Sequence, residues 1–264
     1  MKRKDFLTAT GALGMAPLLS GFSNSASGAP ESNQFVELIK YQLHVGAKQK
    51  LVADFYKDVA IPALNRLGIE KVGVFTMVYG PNSPSLYVVI PHPSLEAVYL
   101  NNEKLLLDKT YLADGDKFLN APLNDTAFVR MEKTIMRGFN SLPKIEVPTE
   151  LMGNANRIYE IRIYESPSPI IAKKKIHMFN EGGEIAIFKK TGLRPVLFGE
   201  TIAGPAMPNL QYMLAFNSME ERDKNWAVFV ASPEWTKLKQ DPYYIDTVSC
   251  ITDVILKPTG FSQI

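Results

Sequence analysis

The chain repeats itself. Gly68 and Gly192, Gly80 and Gly204, and Ser94 and Ser218 stand at one common offset of 124 positions. A helix-stop glycine, a Gly-Pro turn and a helix-capping serine in one register mark a duplicated supersecondary unit. The strands that open the two copies agree with this. Phe35-Val-Glu-Leu-Ile-Lys-Tyr41 aligns with the stretch ending at Tyr164, so that Glu37 meets Glu160, Leu38 meets Ile161 and Tyr41 meets Tyr164. In the second of these strands Ile158, Glu160, Arg162 and Tyr164 share one face, and Tyr159, Ile161 and Ile163 the other. Such a chain has to find one fold for the unit and one way of joining two units.

The unit itself reads as strand, helix, strand, strand, helix, strand. In the first copy a helix is predicted over 48–67, kinked or broken by Pro62 and stopped by Gly68. Strands follow at 72–79 and 86–90, the second apolar on both faces and therefore central, ended by Pro91-His92-Pro93. Ser94 caps a helix to about Leu107, and a last strand spans 126–137. In the second copy the long helix covers 170–191, with Gly182-Gly183 weakening its middle. Strands follow at 195–202 and 210–216. Ser218 and Glu221 form a capping box, and Trp226, Phe229 and Val230 are expected on the apolar face of that helix. Ser232-Pro233-Glu234-Trp235 ends it, and the last strand is 245–256. This order predicts an α+β fold of two tandem ferredoxin-like (βαββαβ) domains at 34–141 and 155–260. A proline-containing linker joins them at 142–154.

Residues 1–29 have the order of an export signal peptide: Lys2, Arg3 and Lys4, then an apolar run from Ala9 to Leu19, then small residues to Ala29. The apolar run is too short to span a bilayer. Arg3-Lys4-Asp5-Phe6-Leu7 resembles a twin-arginine signal in which Lys4 replaces the second arginine, so the route is either that one or the general secretory one. A periplasmic location is expected, with no membrane span in the mature chain. A net charge of +2 provides no electrostatic footprint for nucleic acid. The single cysteine, Cys250, allows neither an intrachain disulfide nor a cysteine-based zinc site.

On Tyr159-Glu160-Ile161-Arg162-Ile163-Tyr164, Gly192, Gly204-Pro205, Leu210 through Phe216 and Ser232-Pro233-Glu234-Trp235, the second copy resembles the NIPSNAP family, within the wider dimeric α/β-barrel superfamily. The first copy matches through Glu37-Leu38, Tyr41, Gly68 and Gly80-Pro81. It departs at Ile39, which stands where Arg162 stands, and it lacks Pro-Glu-Trp after its second helix. The resemblance implies that two ferredoxin-like units pack sheet against sheet into a barrel with helices outside. Here one chain supplies both units as an intrachain pseudo-dimer, or two chains pair as a homodimer. It also implies relatives that include monooxygenases without metal or flavin, haem-degrading enzymes and small-molecule binders. The family has no agreed reaction.

The candidate ligand-binding residues lie in the second copy. Glu160, Arg162 and Tyr164 on one strand face orient a polar ligand or form a structural ion pair. Trp226 and Trp235 line a flat apolar pocket or belong to the core. His177, on the long helix, faces the cleft as a base or axial ligand, or is a surface or core histidine. His44, His92 and His177 lack metal-site spacing, and no motif indicates a metal or cofactor. No phosphate loop, dinucleotide fingerprint or nucleophile elbow is present. Three readings follow. The first is an exported, non-catalytic protein that binds a small apolar molecule. The second is a cofactor-independent monooxygenase-like or haem-interacting enzyme using His177, Arg162 and Tyr164. The third is a structural protein whose second copy binds a protein partner.

Overall fold

The computed structural model describes residues 32–264, so the export signal read at 1–29 lies outside the described residues. The first unit contains β1 (Phe35–Gln42), α1 (Ala47–Phe55), α2 (Ile61–Arg66), β2 (Gly73–Tyr79), β3 (Ser85–His92) and α3 (Leu95–Leu107). Two short helices, α4 (Lys109–Asp114) and α5 (Asp116–Leu119), then lead to β4 (Arg130–Gly138). The second unit contains β5 (Ile158–Glu165), α6 (Pro169–Asn180), α7 (Glu184–Lys190), β6 (Arg194–Ala203) and β7 (Asn209–Phe216). It ends with α8 (Met219–Ala231), α9 (Pro233–Leu238) and β8 (Cys250–Pro258).

All ladders are antiparallel, and the sheet closes in the order β1-β3-β2-β8-β5-β7-β6-β4. Within each unit the second and last strands lie at the edges. Those edges meet the other unit: β2 pairs with β8 and β4 with β6. One chain therefore closes the barrel, and among the described residues each of its eight strands is paired on both sides.

The period of two sorts side chains into three cores. Val36, Leu38, Phe75, Tyr159, Ile161 and Met213 fill the barrel. Phe75 of the first unit meets Tyr159 of the second with ring centroids 4.9 Å apart. Ile39, Tyr41, Val88 and Ile90 face outward to the first unit's helices. Tyr164, Tyr212, Leu214 and Phe216 do the same in the second. Strands β3 and β7 are covered on both faces, so every residue of each is buried.

Local chemistry sets the element ends. Ser94 and Ser218 accept hydrogen bonds from the backbone N–H of Ala97 and Glu221. Gly68 and Gly192 end their helices at φ 78° and 87°, where a β-carbon is unfavourable. The corner halfway along the long helix is solved differently in each unit. In the first, a π-helical turn (Tyr56–Ala60) absorbs the irregularity just before Pro62, and the helix runs on. In the second, the expected weakening at Gly182-Gly183 is a full break between α6 and α7, with Gly183 at φ 80°.

Other expectations need adjustment. Strand β3 continues through Pro91 and His92 rather than ending there. Strands β4 and β8 start at Arg130 and Cys250, later than 126 and 245. Glu221 does not complete the capping box; its carboxylate accepts from the N–H of Asn217 and from Nη1 and Nη2 of Arg194. Val230 is exposed, because the inward face of α8 is centred between Trp226 and Phe229 and Val230 falls to its side. Ser232 ends α8 but also caps α9 through the N–H of Trp235.

The stretch read as a linker is packed. Glu146 N–H donates to Val196 O at 2.9 Å, which carries Ile145 and Leu151 into the barrel core. The tail after β8 repeats the move: Gln263 N–H donates to Val72 O at 3.0 Å and Ile264 enters the same core. Ile145→Ala should therefore lower stability by about 2–4 kcal/mol in urea unfolding followed by circular dichroism. The transition should remain single, because both units share the core that is being hollowed.

Candidate functional site

Each unit has a cleft between its helices and the outer face of its sheet. A buried glutamate from the first strand of the unit lies in the same place in both: Glu37 and Glu160. What satisfies that carboxylate differs, and the difference decides whether the cleft is filled.

In the second unit the partners come from helix α8. Trp226 Nε1–H donates to Glu160 Oε2 at 2.8 Å, and Arg222 Nη2 donates to Oε1. Arg162 pairs with Asp253 (2.7 Å), and its guanidinium carbon lies 4.5 Å from the Trp226 ring centroid and 5.5 Å from that of Tyr164. Tyr164 receives the hydroxyl of Tyr212 at 2.9 Å, and burial pushes its own phenol up to about 12. Beside it Lys175 Nζ pairs with Glu184 at 2.7 Å, both buried, with the rings of Phe179 and Trp235 at 4.5 and 5.7 Å from the ammonium. Burial raises the Glu184 carboxyl despite the opposing charge of Lys175. Glu160, Arg162, Tyr164 and Trp226 thus form one contiguous cluster, with Trp235 next to it. Their side chains occupy the space between helix and sheet.

His177 is not part of this cluster. It is exposed, its Nδ1 lies 2.8 Å from the Tyr244 hydroxyl, and its ring rests against Tyr243. The reason is helical phase: α6 turns Ala172, Lys175, Met178 and Phe179 inward, and a residue two positions after Lys175 points about 200° away. Of the two places the sequence left open for His177 it takes the surface, and Lys175 faces inward.

In the first unit the partners come from the sheet. His92 on β3 lies with Nε2 3.2 Å from Glu37 Oε2, and Asn101 Nδ2 lies 3.4 Å from His92 Nδ1. With Asn101 donating to Nδ1, the ring carries its proton on Nε2 and donates to the carboxylate. Lys133 on β4 pairs with the other carboxylate oxygen, its Nζ 2.6 Å from Glu37 Oε1. Burial pushes the Glu37 carboxyl up, but the His92 hydrogen bond and the Lys133 charge outweigh it and hold it below the usual value. The positions of the second unit's large side chains hold smaller ones: Ile39 for Arg162, Asn102 for Trp226 and Tyr111 for Trp235.

The result is a cavity of about 350 Å³. Glu37, His92, Asn101 and Lys133 stand at its polar end, and Phe55 and Tyr111 form part of its aromatic wall. The π-helical turn brings Tyr56 into it, hydroxyl to hydroxyl with Tyr41 at 2.9 Å. Burial pushes the Tyr41 phenol up to about 12 and that of Tyr56 well above its ordinary value, so both hydroxyls stay protonated. Sequence reasoning did not single out Glu37, His92, Lys133 and Tyr56 as a site. The recurrence of Glu37 at the position of Glu160 was the available signal. Among the described residues no cluster of histidine, cysteine or carboxylate side chains is arranged to hold a metal ion, and no helix is long and apolar enough to cross a membrane.

The NIPSNAP family model matches the chain twice, over residues 36–143 and 159–263. No curated protein sequence matches it. Among solved structures, a putative monooxygenase from Lactobacillus acidophilus superposes with a TM-score of 0.57 at 10% identity, covering 86% of this chain and 94% of the other. A putative monooxygenase from Fusobacterium nucleatum gives 0.53 at 9%, covering 86% and 93%. At these identities the likeness is one of fold. A NIPSNAP-like domain protein from Burkholderia xenovorans is 26% identical over 41% of this chain and 90% of its own, with a TM-score of 0.37.

A depressed carboxyl stabilises the fold above its unfolded-state pKa, and that contribution is lost as pH falls through the folded-state value. Urea unfolding of the wild type should show a loss that begins near the ordinary glutamate value of 4.5 and continues below it. Glu37→Gln should be less stable at neutral pH by about 1–3 kcal/mol and should show a shallower acid-side loss. An unchanged acid limb in the variant assigns that loss to other carboxylates.

Proposed function

The chain belongs to the NIPSNAP family, twice over, and from that premise we propose that it is an exported binding protein whose first unit takes a small, largely apolar, ring-bearing molecule carrying a hydroxyl. The observation that carries this reading is the contrast within the chain. The same cleft is packed with Arg162 and Trp226 in the second unit and left as a cavity in the first. A cavity of this size with mostly apolar walls and a few convergent polar groups has the anatomy of a small-molecule site. At its polar end a ligand hydroxyl can donate to Glu37 Oε1 and accept from Lys133. Along its walls the faces and edges of Phe55, Tyr56 and Tyr111 suit an aromatic ring. The order of basic, apolar and small residues in 1–29 supports export.

The contacts of His177 with Tyr243 and Tyr244 weigh against an oxygenase reading of the second unit that joins His177 to Arg162 and Tyr164. In the second unit Glu160, Arg162 and Trp226 are engaged with one another and with Arg222 and Asp253. The fold shared with the two monooxygenase-like structures does not restore that reading, since fold does not fix function.

The test transplants the second unit's filling into the first. In titrations with para-ethylphenol followed by amide chemical shifts, the wild type should show changes around Ile90, His92 and Leu105 that saturate. The double variant Ile39→Arg with Lys133→Asp reproduces the Arg162–Asp253 pair; below its thermal transition, with the dispersed amide spectrum of a folded chain, it should bind at least roughly tenfold more weakly. Saturable shifts confined to the second unit would refute the assignment.

A further inference from the structure

The first unit's cavity has a neighbour. A second chamber of about 420 Å³ lies under the segment between α5 and β4, bounded by Ala121, Thr126, Ala127, Phe128 and Val129. The two chambers share four wall residues, Tyr41, Phe118, Leu119 and Met131. Phe118 and Leu119 come from α5, and Tyr41 and Met131 lie opposite each other in the β1–β4 ladder. Phe118 stacks on Phe55 with centroids 4.0 Å apart and lies edge-on to Tyr41 at 6.0 Å.

The two chambers differ in chemistry. The inner one ends in the Glu37, His92 and Lys133 group. The outer one is bounded by alanine, valine, phenylalanine and methionine, with Thr126 engaged by His44 at 3.1 Å. The elements above them, α4 and α5, meet the first unit's core through Tyr111, Phe118 and Leu119. Neither α4 nor α5 has a fully buried residue of its own. They are tied down by the Arg66–Asp108 ion pair and by Asp108 accepting the N–H groups of Thr110 and Tyr111. Joining the chambers requires Phe118 to turn away from Phe55 and Tyr41, and Phe118 lies on α5, outside the strand ladders.

We propose that the first unit takes an amphiphile rather than a compact molecule: a hydroxylated aromatic head in the inner chamber and a linear aliphatic chain passing Phe118 into the outer one. This rests on the binding reading above and extends it to the second chamber. The hydroxyl of the head joins the Glu37–Lys133 ion pair at the polar end of the inner chamber. The chain exchanges water for the apolar surfaces of Phe128, Val129 and Met131. Two of these, Val129 and Met131, are exposed large hydrophobic residues beside the chamber, which a bound chain would cover.

Calorimetric titration of the full chain with para-ethylphenol and para-octylphenol tests it. Six added methylenes buried in the outer chamber should tighten binding on the order of 100-fold or more, given the transfer free energy of each. Val129→Trp and Ala121→Trp, each checked for an unchanged thermal midpoint, should erase most of that gain and leave para-ethylphenol binding intact. If para-ethylphenol binds and para-octylphenol gains less than roughly threefold, the chain has no place in the second chamber and this inference falls while the binding reading stands. A gain that survives both variants also overturns it, because the chain then lies elsewhere. If neither probe binds, the binding reading fails and this inference goes with it.

Discussion

Each ferredoxin-like unit exposes two strand edges, and the rest of the structure depends on how those edges are covered. Strand β2 needs a partner for its open side, as does β4, and each finds one in the other unit. The closure makes the inward faces of both sheets a single core. It also explains why the connecting stretch and the chain after β8 are packed in the same manner. Each continues beyond the last strand of its unit, pairs with the start of the neighbouring unit's second strand, and sends an isoleucine into the barrel. A barrel of two units has two such places, and both are used.

Covalent duplication has a second consequence. In a barrel built from two identical chains the two helix–sheet clefts must be the same. In one chain they are free to differ, and here they do. The second unit fills its cleft with a buried ionic and aromatic cluster, whose members need one another because a buried charge without a partner is costly. The first unit has the shared barrel core and its own helix–sheet core, and it can keep a cavity beside the latter. A cavity costs contacts, and an unfilled cleft in both units would forfeit them twice.

The fold was legible in the sequence because its signals are local and came in duplicate. A glycine stop, a Gly-Pro turn and a serine cap each have a short-range physical cause, and one offset tied both sets together. The site was much less legible. Glu37, His92 and Lys133 meet only after two ladders set their registers, Phe35 opposite His92 and Ile39 opposite Lys133. No short spacing announces this. Glu160, Arg162 and Tyr164 were visible as a strand face, and they do form a cluster with Trp226. Whether such a cluster leaves space is a matter of side-chain volume in three dimensions. His177 and Lys175 illustrate the limit differently: two positions on a helix separate the cleft from solvent, and composition alone does not fix the phase.

The departures that made the first copy look degenerate are the ones that leave its cavity. Ile39 in place of Arg162 removes a guanidinium that would lie across the cleft, and Asn102 in place of Trp226 removes the indole above it. The glutamate was kept, so it needed other donors. Donors on a helix must reach down across the space between layers, as Arg222 and Trp226 do. Donors on neighbouring strands reach sideways within the sheet, as His92 and Lys133 do, and leave the volume above the carboxylate free. The switch from helix-borne to strand-borne partners is therefore what turns a packed layer into a site. It requires a histidine where the second copy has Phe216 and a lysine where it has Asp253.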